Sequence, residues 1–149
     1  MKKLLSFVIC VILLVSMSIP TYATEQTEVV YSEETILENG MVMKDEIIVT
    51  TNARSTDKTA TRKKTITHSD ATVAVIAFKA TFRYDGSTVS VVSKSVTQTD
   101  TYDGWSYSQN SFTSSGGTVT LDAKLTKLLI LQKSFTMSLT CDKNGNLST

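Results

Sequence analysis

The only histidine, His68, stands two residues before Asp70, and no other pair in the chain comes closer to a base with its orienting acid. Hydrolysis through a hydroxyl or thiol needs nucleophile, base and acid brought together. Serines are abundant, but none sits in a nucleophile-elbow pattern. Ser69-Asp70 also reads as a turn, which would carry Asp70 off the strand that holds His68. A secreted hydrolase using His68 is therefore the reading these residues favour least.

Cys141 ends the run Phe135, Met137, Leu139, Cys141, which alternates with Ser134, Thr136, Ser138 and Thr140. That places the thiol on an apolar strand face, as a small buried hydrophobe rather than a nucleophile or an intermolecular bridge. Zinc wants four protein ligands, or three and water, and one histidine with one cysteine cannot supply them. No metal and no cofactor is expected. Asp142, Asn144 and Asn146 are spaced like the opening of a calcium loop, but Leu147 occupies the sixth position, where glycine is needed. An Asn144-Gly145 turn explains the same residues.

Arg54, Lys58, Arg62, Lys63 and Lys64 face only Asp57 within residues 52–64. An anionic-surface patch for cell-wall polymers or membrane headgroups is one reading. A solvated loop running into a lysine-guarded strand edge is the other and is preferred, because no aromatic residue interleaves with the charges. Tyr102, Trp105 and Tyr107 form the most suggestive set. With Asp103-Gly104 as a two-residue loop, Tyr102 pairs across from Trp105, and Tyr107 shares its face. Exposed, these rings are a ligand-binding platform for sugars or peptides. Buried, they are a cross-strand pair that stabilises a hairpin by up to about 1 kcal/mol.

The elements that must position these residues are strands. Val73–Val96 reads as two long runs around Asp85-Gly86, a strong hairpin signal because Asp and Gly tolerate positive φ. A two-residue loop sets Phe82 against Val89 and Ala80 against Val91, and gathers Ala74, Ile76, Phe78, Ala80, Phe82, Val89 and Val91 on one face. Val73, Val75 and Val96 then fall on the opposite face and need a cover, for which the N-terminal region is the candidate. Asp45–Thr51 predicts a strand with Ile47, Ile48 and Val49 as a buried run, and Thr65–His68 the start of another that turns at Ser69-Asp70. Thr118–Thr126 alternates, with Val119, Leu121, Ala123 and Leu125 inward. Leu125–Lys133 also matches helical spacing, but its flanks have period two, so a strand or tight crossing is expected.

Met1-Lys2-Lys3, the apolar run Leu4–Met17 and the small-residue site Thr21-Tyr22-Ala23 together form a secretory signal, expected to be cleaved after Ala23. The apolar core falls short of the ~20 residues that a membrane span needs. Cleavage lowers the basic residues from 15 by Lys2 and Lys3, leaving 13 against 14 acidic and a net charge of −1. A near-neutral chain argues against nucleic acid as partner. Of two cysteines only Cys141 then remains, so no internal disulfide can form; export without disulfides suits a Gram-positive bacterium. Residues 24–44 carry Glu25, Glu28, Glu33, Glu34 and Glu38 against Lys44, and read as an acidic leader, partly disordered or forming an edge strand near Val29–Tyr31.

The signal segment, the acidic leader, the run Ala77-Phe78-Lys79-Ala80-Thr81-Phe82-Arg83-Tyr84-Asp85-Gly86 and the ending Leu139-Thr140-Cys141-Asp142-Lys143-Asn144-Gly145-Asn146-Leu147-Ser148 together resemble a family of small uncharacterised exported proteins of Gram-positive gut bacteria, grouped as a domain of unknown function. The resemblance covers most of the exported chain. It implies a fold and no activity, because its motifs are turn and strand signatures and none is catalytic.

The expectation is an all-β protein: an antiparallel meander forming a β-sandwich or a partly closed barrel, with a signal peptide at 1–23, the leader at 24–44 and a single β domain at 45–149. Its expected function is binding without catalysis, at the cell surface or in the medium. The partner is a protein, glycan or cell-wall polymer, reached in the carbohydrate-binding reading through Tyr102, Trp105 and Tyr107; a membrane is not expected as partner once the signal is cleaved.

Overall fold

The computed structural model describes residues 26–37, 40–51, 57–128 and 131–149. Residues 1–23, expected to direct export, lie outside them, as do Glu25, Glu38 and Arg54. Period-two alternation runs through most of the described residues, and among them nine strands form: β1 Gln26–Ile36, β2 Met41–Thr51, β3 Asp57–His68, β4 Ala71–Tyr84, β5 Val89–Thr101, β6 Trp105–Ser115, β7 Thr118–Lys127, β8 Leu131–Cys141 and β9 Leu147–Ser148. The first sheet runs β1-β2-β3-β4-β5 and the second β6-β7-β8-β9, every pair antiparallel. The two sheets pack face to face and do not join into a barrel, so the meander is a sandwich.

The chain changes sheet once, at Asp103-Gly104, where φ is 53° and 75°. The Trp105 amide donates to the Tyr102 carbonyl at 3.1 Å, closing the expected tight turn. No hairpin ladder follows, because the Tyr102 amide is already donating to Val73 of β4 at 2.9 Å. Between the sheets lie Ile47, Ile76, Phe78 and Phe82 from the first and Leu121, Leu125, Met137 and Leu139 from the second, all 1% exposed or less. Burying each such side chain contributes about 1.5–3 kcal/mol. Phe78 and Phe112 meet edge to face at 5.5 Å across the interface.

The β4–β5 hairpin departs from the expected register. Tyr84 pairs with Val89 and Phe82 with Val91, so the loop is Asp85–Thr88 rather than Asp85-Gly86. The cause is the Asp85 carboxylate, whose Oδ1 accepts the main-chain amides of Ser87 and Thr88 at 2.9 and 2.7 Å while Oδ2 accepts the Thr88 hydroxyl. A slip of two preserves parity, so Val89 and Val91 still pack against the core. Beyond Val91, bulges at Val92 and Thr97 shift β5, and Ala80 meets Lys94.

Bulges also relocate the valines expected to need a cover. Val73 is extra between the Ile66–Ala74 and Thr67–Thr72 pairs and turns into the core, while Val96 comes opposite Phe78. Only Val75 stays on the outer face, half-buried, and the described part of the N-terminal region lies edge-on to the sheet beside β2 and not over that face. That region is instead a strand: β1 pairs with β2 along its whole length, and β2 begins at Met41. In β2 the buried residues are Asp45, Ile47 and Val49, with Ile48 half-buried on the other face, so the run alternates instead of being buried throughout.

The largest correction concerns the basic stretch. Residues 57–68 form β3, the middle strand of the first sheet, and Arg62 and Lys64 point inward. Leu125–Lys133 is strand on both sides of a turn, β7 ending at Lys127 and β8 starting at Leu131. The turn begins at Leu128, where φ is 51°, and residues 129–130 lie outside those described.

Candidate functional site

Within the sandwich three ionisable side chains meet: Asp45 of β2 with Arg62 and Lys64 of β3, exposed by 6%, 7% and 6%. Antiparallel pairing sets Asp45 opposite Lys64 and Ile47 opposite Arg62, so all three share the inner face. The Arg62 guanidinium donates to both Asp45 oxygens, at 3.1 and 2.6 Å, and the Lys64 ammonium lies 3.1 Å from Oδ2. Arg62 also donates to the Ser138 carbonyl of β8. Burial pushes the Asp45 carboxyl up, but the Arg62 hydrogen bond and the Lys64 and Arg62 charges outweigh it and hold it below the ordinary carboxylate value. The signal for this cluster was parity: Ala60, Arg62, Lys64 and Ile66 are spaced by two, as are Asp45, Ile47 and Val49. Charge density concealed it.

Among the described residues Arg62 is one of three such links. Lys94 of β5 donates to the Phe112 carbonyl of β6 at 2.8 Å, its ammonium 4.8 Å from the Phe112 ring centroid. Lys58 of β3 donates to the Gly145 carbonyl at 2.5 Å and lies 5.8 Å from the Tyr84 ring. Cations of the first sheet thus take carbonyls of the second sheet and its C-terminal loop.

That loop is organised by Asp142. Its Oδ1 accepts the main-chain amides of Asn144 and Asn146, each at 2.8 Å, and its Oδ2 accepts the Asn146 side-chain amide. These bonds, led by the Asn146 amides, hold the carboxyl below its usual range. The oxygens read as cation ligands thus serve the turn. Gly145 has φ 84°, and a Cβ there would collide with the Tyr84 ring, so only glycine fits. The loop returns the chain to β9, which pairs with Thr140-Cys141 alone.

Where the second sheet runs out at β9, a cleft of about 430 Å3 opens. One wall is Val30 and Tyr31 of β1 with Ile47 and Val49 of β2; the other is residues 145–149; Lys58 also lines it. Among the described residues Tyr31 and Lys58 are its only ionisable side chains, and both are engaged, Tyr31 donating to Glu33 and Lys58 to Gly145. The bond to Glu33 raises the Tyr31 pKa. The lining of the cleft is mixed, with Val30, Ile47, Val49 and Leu147 apolar and Asn146, Ser148 and Thr149 polar.

The aromatic set is divided. Tyr102 is 49% exposed, whereas Trp105 and Tyr107 pack against the core, and the three share no exposed face. The Tyr107 hydroxyl is buried without a hydrogen-bond partner among the described residues, and burial raises its pKa. His68 and Asp70 are exposed at the β3–β4 turn, where Ser69 and Asp70 both have positive φ. Cys141 is 1% exposed, and burial pushes its thiol pKa up. On the outer face of the second sheet the hydroxyls of Ser111 and Thr136 each donate to Asp122 at 2.7 Å. Among the described residues no group of three or more His, Cys, Asp or Glu could hold a metal ion, and no helix is long and apolar enough to cross a membrane.

Compared with known proteins, the chain matches no family model, no curated protein and no solved structure.

Proposed function

We propose that this protein is exported by a Gram-positive cell, as its resemblance to the exported family implies, and acts outside the cytoplasm by binding, as a non-enzymatic β domain. The cleft beside β9 is its binding site. The observation that carries the reading is a mainly apolar recess of about 430 Å3 in which the Tyr31 and Lys58 side chains are spent on bonds within the fold. Recesses of roughly 300–1,000 Å3 with mainly apolar walls are the usual form of small-ligand and side-chain pockets. Carbohydrate binding through Tyr102, Trp105 and Tyr107 draws less support, since only Tyr102 offers a substantially exposed ring. Hydrolysis through His68 draws less again, because among the described residues no hydrogen bond or ion pair engages that side chain.

Two measurements test the proposal. An apolar fluorescent dye such as anilinonaphthalene sulfonate is expected to bind the native protein, and Val30→Trp, which fills the mouth of the cleft, to weaken that binding. No dye uptake by the native protein would count against the cleft. Mass spectrometry of the culture medium is expected to find a chain beginning at Thr24; an uncleaved chain confined to the cells would count against export.

A further inference from the structure

A sandwich of two open sheets has four lateral edges, and they differ in regularity and charge. β5 carries bulges at Val92 and Thr97. β6 is bulged at Asn110, and its Phe112 carbonyl is taken by Lys94. β8 is regular and is covered by β9 at Thr140-Cys141 alone, but its Ser138 carbonyl is taken by Arg62 and Lys133 is its one charged residue, so it offers no acidic pair to a partner. The fourth edge is β1. After one bulge at Val30, residues Tyr31–Ile36 pair with Val42–Ile47 in unbroken register, and among the described residues nothing pairs their other side. Such a stretch offers a row of free main-chain donors and acceptors to any extended chain.

We propose that this edge accepts an extended peptide segment of a partner protein, six residues long, with an apolar residue at each end and two lysines or arginines in the middle. The proposal rests on the cleft being the binding site, since one of the apolar ends is placed over its mouth. The pattern follows from what each position of β1 presents. Tyr31 and Glu33 lie on the inner face, and Glu34 and Ile36 on the outer, as their pairing with Ile47, Asp45, Lys44 and Val42 requires. A residue opposite Tyr31 therefore points inward over the cleft. A residue opposite Ile36, which is 83% exposed, gives that side chain an apolar neighbour.

The two central positions are set by charge. β1 contains Glu28, Glu33 and Glu34 and no cationic residue. Glu33 stands opposite another acid, Asp45, and Glu34 stands opposite Lys44, whose ammonium is committed to Glu46 at 2.8 Å. Among the described residues Glu33 has no ion pair, and Glu34 only shares the field of Lys44 with Glu46, which holds the ammonium. The sheet already uses the complementary arrangement once: Asp45 and Glu46 of β2 face Lys64 and Lys63 of β3. An added strand with two central cations repeats that arrangement one strand further out. The pattern is symmetric, so it suits a parallel or an antiparallel segment. A second copy of β1 is disfavoured, because antiparallel self-pairing over Tyr31–Ile36 sets Glu33 against Glu34, and like charges directly opposite destabilise a sheet.

The test is titration of nitrogen-labelled protein, purified as the cells produce it, with the capped hexapeptide Val-Thr-Lys-Lys-Thr-Val, followed by nuclear magnetic resonance and calorimetry. Saturable binding is expected, with the largest shifts on the amides of Tyr31–Ile36. Replacing both lysines of the peptide by glutamate should weaken binding by about tenfold or more, and E33K/E34K protein should reverse the preference. Methylating the peptide amides on its β1-facing side should abolish binding. Unmoved Tyr31–Ile36 signals, or equal binding of the methylated peptide, would overturn the proposal, as would a dimer paired through β1. If the native protein still takes up the dye but ignores the peptide, the edge reading falls and the cleft reading stands.

Discussion

Asp45, Arg62 and Lys64 are ionised groups removed from water, and their mutual geometry decides whether they are tolerable. A carboxylate hydrogen-bonded by a guanidinium through both oxygens and approached by an ammonium satisfies that need. Asp45→Asn is expected to lower stability by about 3–5 kcal/mol in urea unfolding, because it leaves two buried cations without their anion. The pH dependence has a fixed sign. The folded-state pKa of Asp45 lies below its unfolded value of about 3.9, so its ionised form stabilises the fold above that pH. The contribution is lost as pH falls from about 4 through the folded pKa, and Asp45→Asn should flatten that part of the acid-unfolding curve. Tyr107 is the opposite case. Its hydroxyl bears a desolvation cost with no bond in return, so Tyr107→Phe is expected to leave stability unchanged or raise it by up to about 1–3 kcal/mol in the same assay.

At the scale of the element, the Asp142 loop governs one wall of the cleft. Asp142→Ala removes the acceptor of the Asn144 and Asn146 amides, and β9 has only two residues in its ladder to resist fraying. Hydrogen exchange at Leu147 and Ser148 is expected to quicken, while Leu121 and Met137 in the core keep their protection. The same scale separates what sequence discloses from what it withholds. β7 and the end of β8 were legible because Leu121, Leu125, Met137 and Leu139 alternate with polar residues. The β4–β5 loop length was not, since Asp-Gly favours a two-residue turn and only the side-chain bonds of Asp85 extend it. β3 was hidden because Arg62 and Lys64 fill inward positions that an apolar count leaves blank. The cleft was invisible, because its walls come from opposite ends of the described chain, near Tyr31 and Leu147, and their approach is tertiary.

For the whole molecule, the all-β architecture follows from alternation along nearly every described segment, whereas the division into two sheets does not. Asp103-Gly104 reads as one more hairpin turn, and a bond from Tyr102 to distant Val73 makes it a corner between layers. The same corner buries two of the three rings that had suggested a platform. Solubility at this scale depends on β1. Glu33→Thr with Glu34→Thr removes the charge that protects its regular stretch, and concentration-dependent association is expected in sedimentation velocity, where the parent chain stays at one size.

The bonds from Lys58, Arg62 and Lys94 to main-chain carbonyls carry a further consequence. A peptide oxygen gains no proton over the range in which aspartate does. Acid that neutralises the carboxylates therefore leaves the acceptors of these three ties between the layers unaltered.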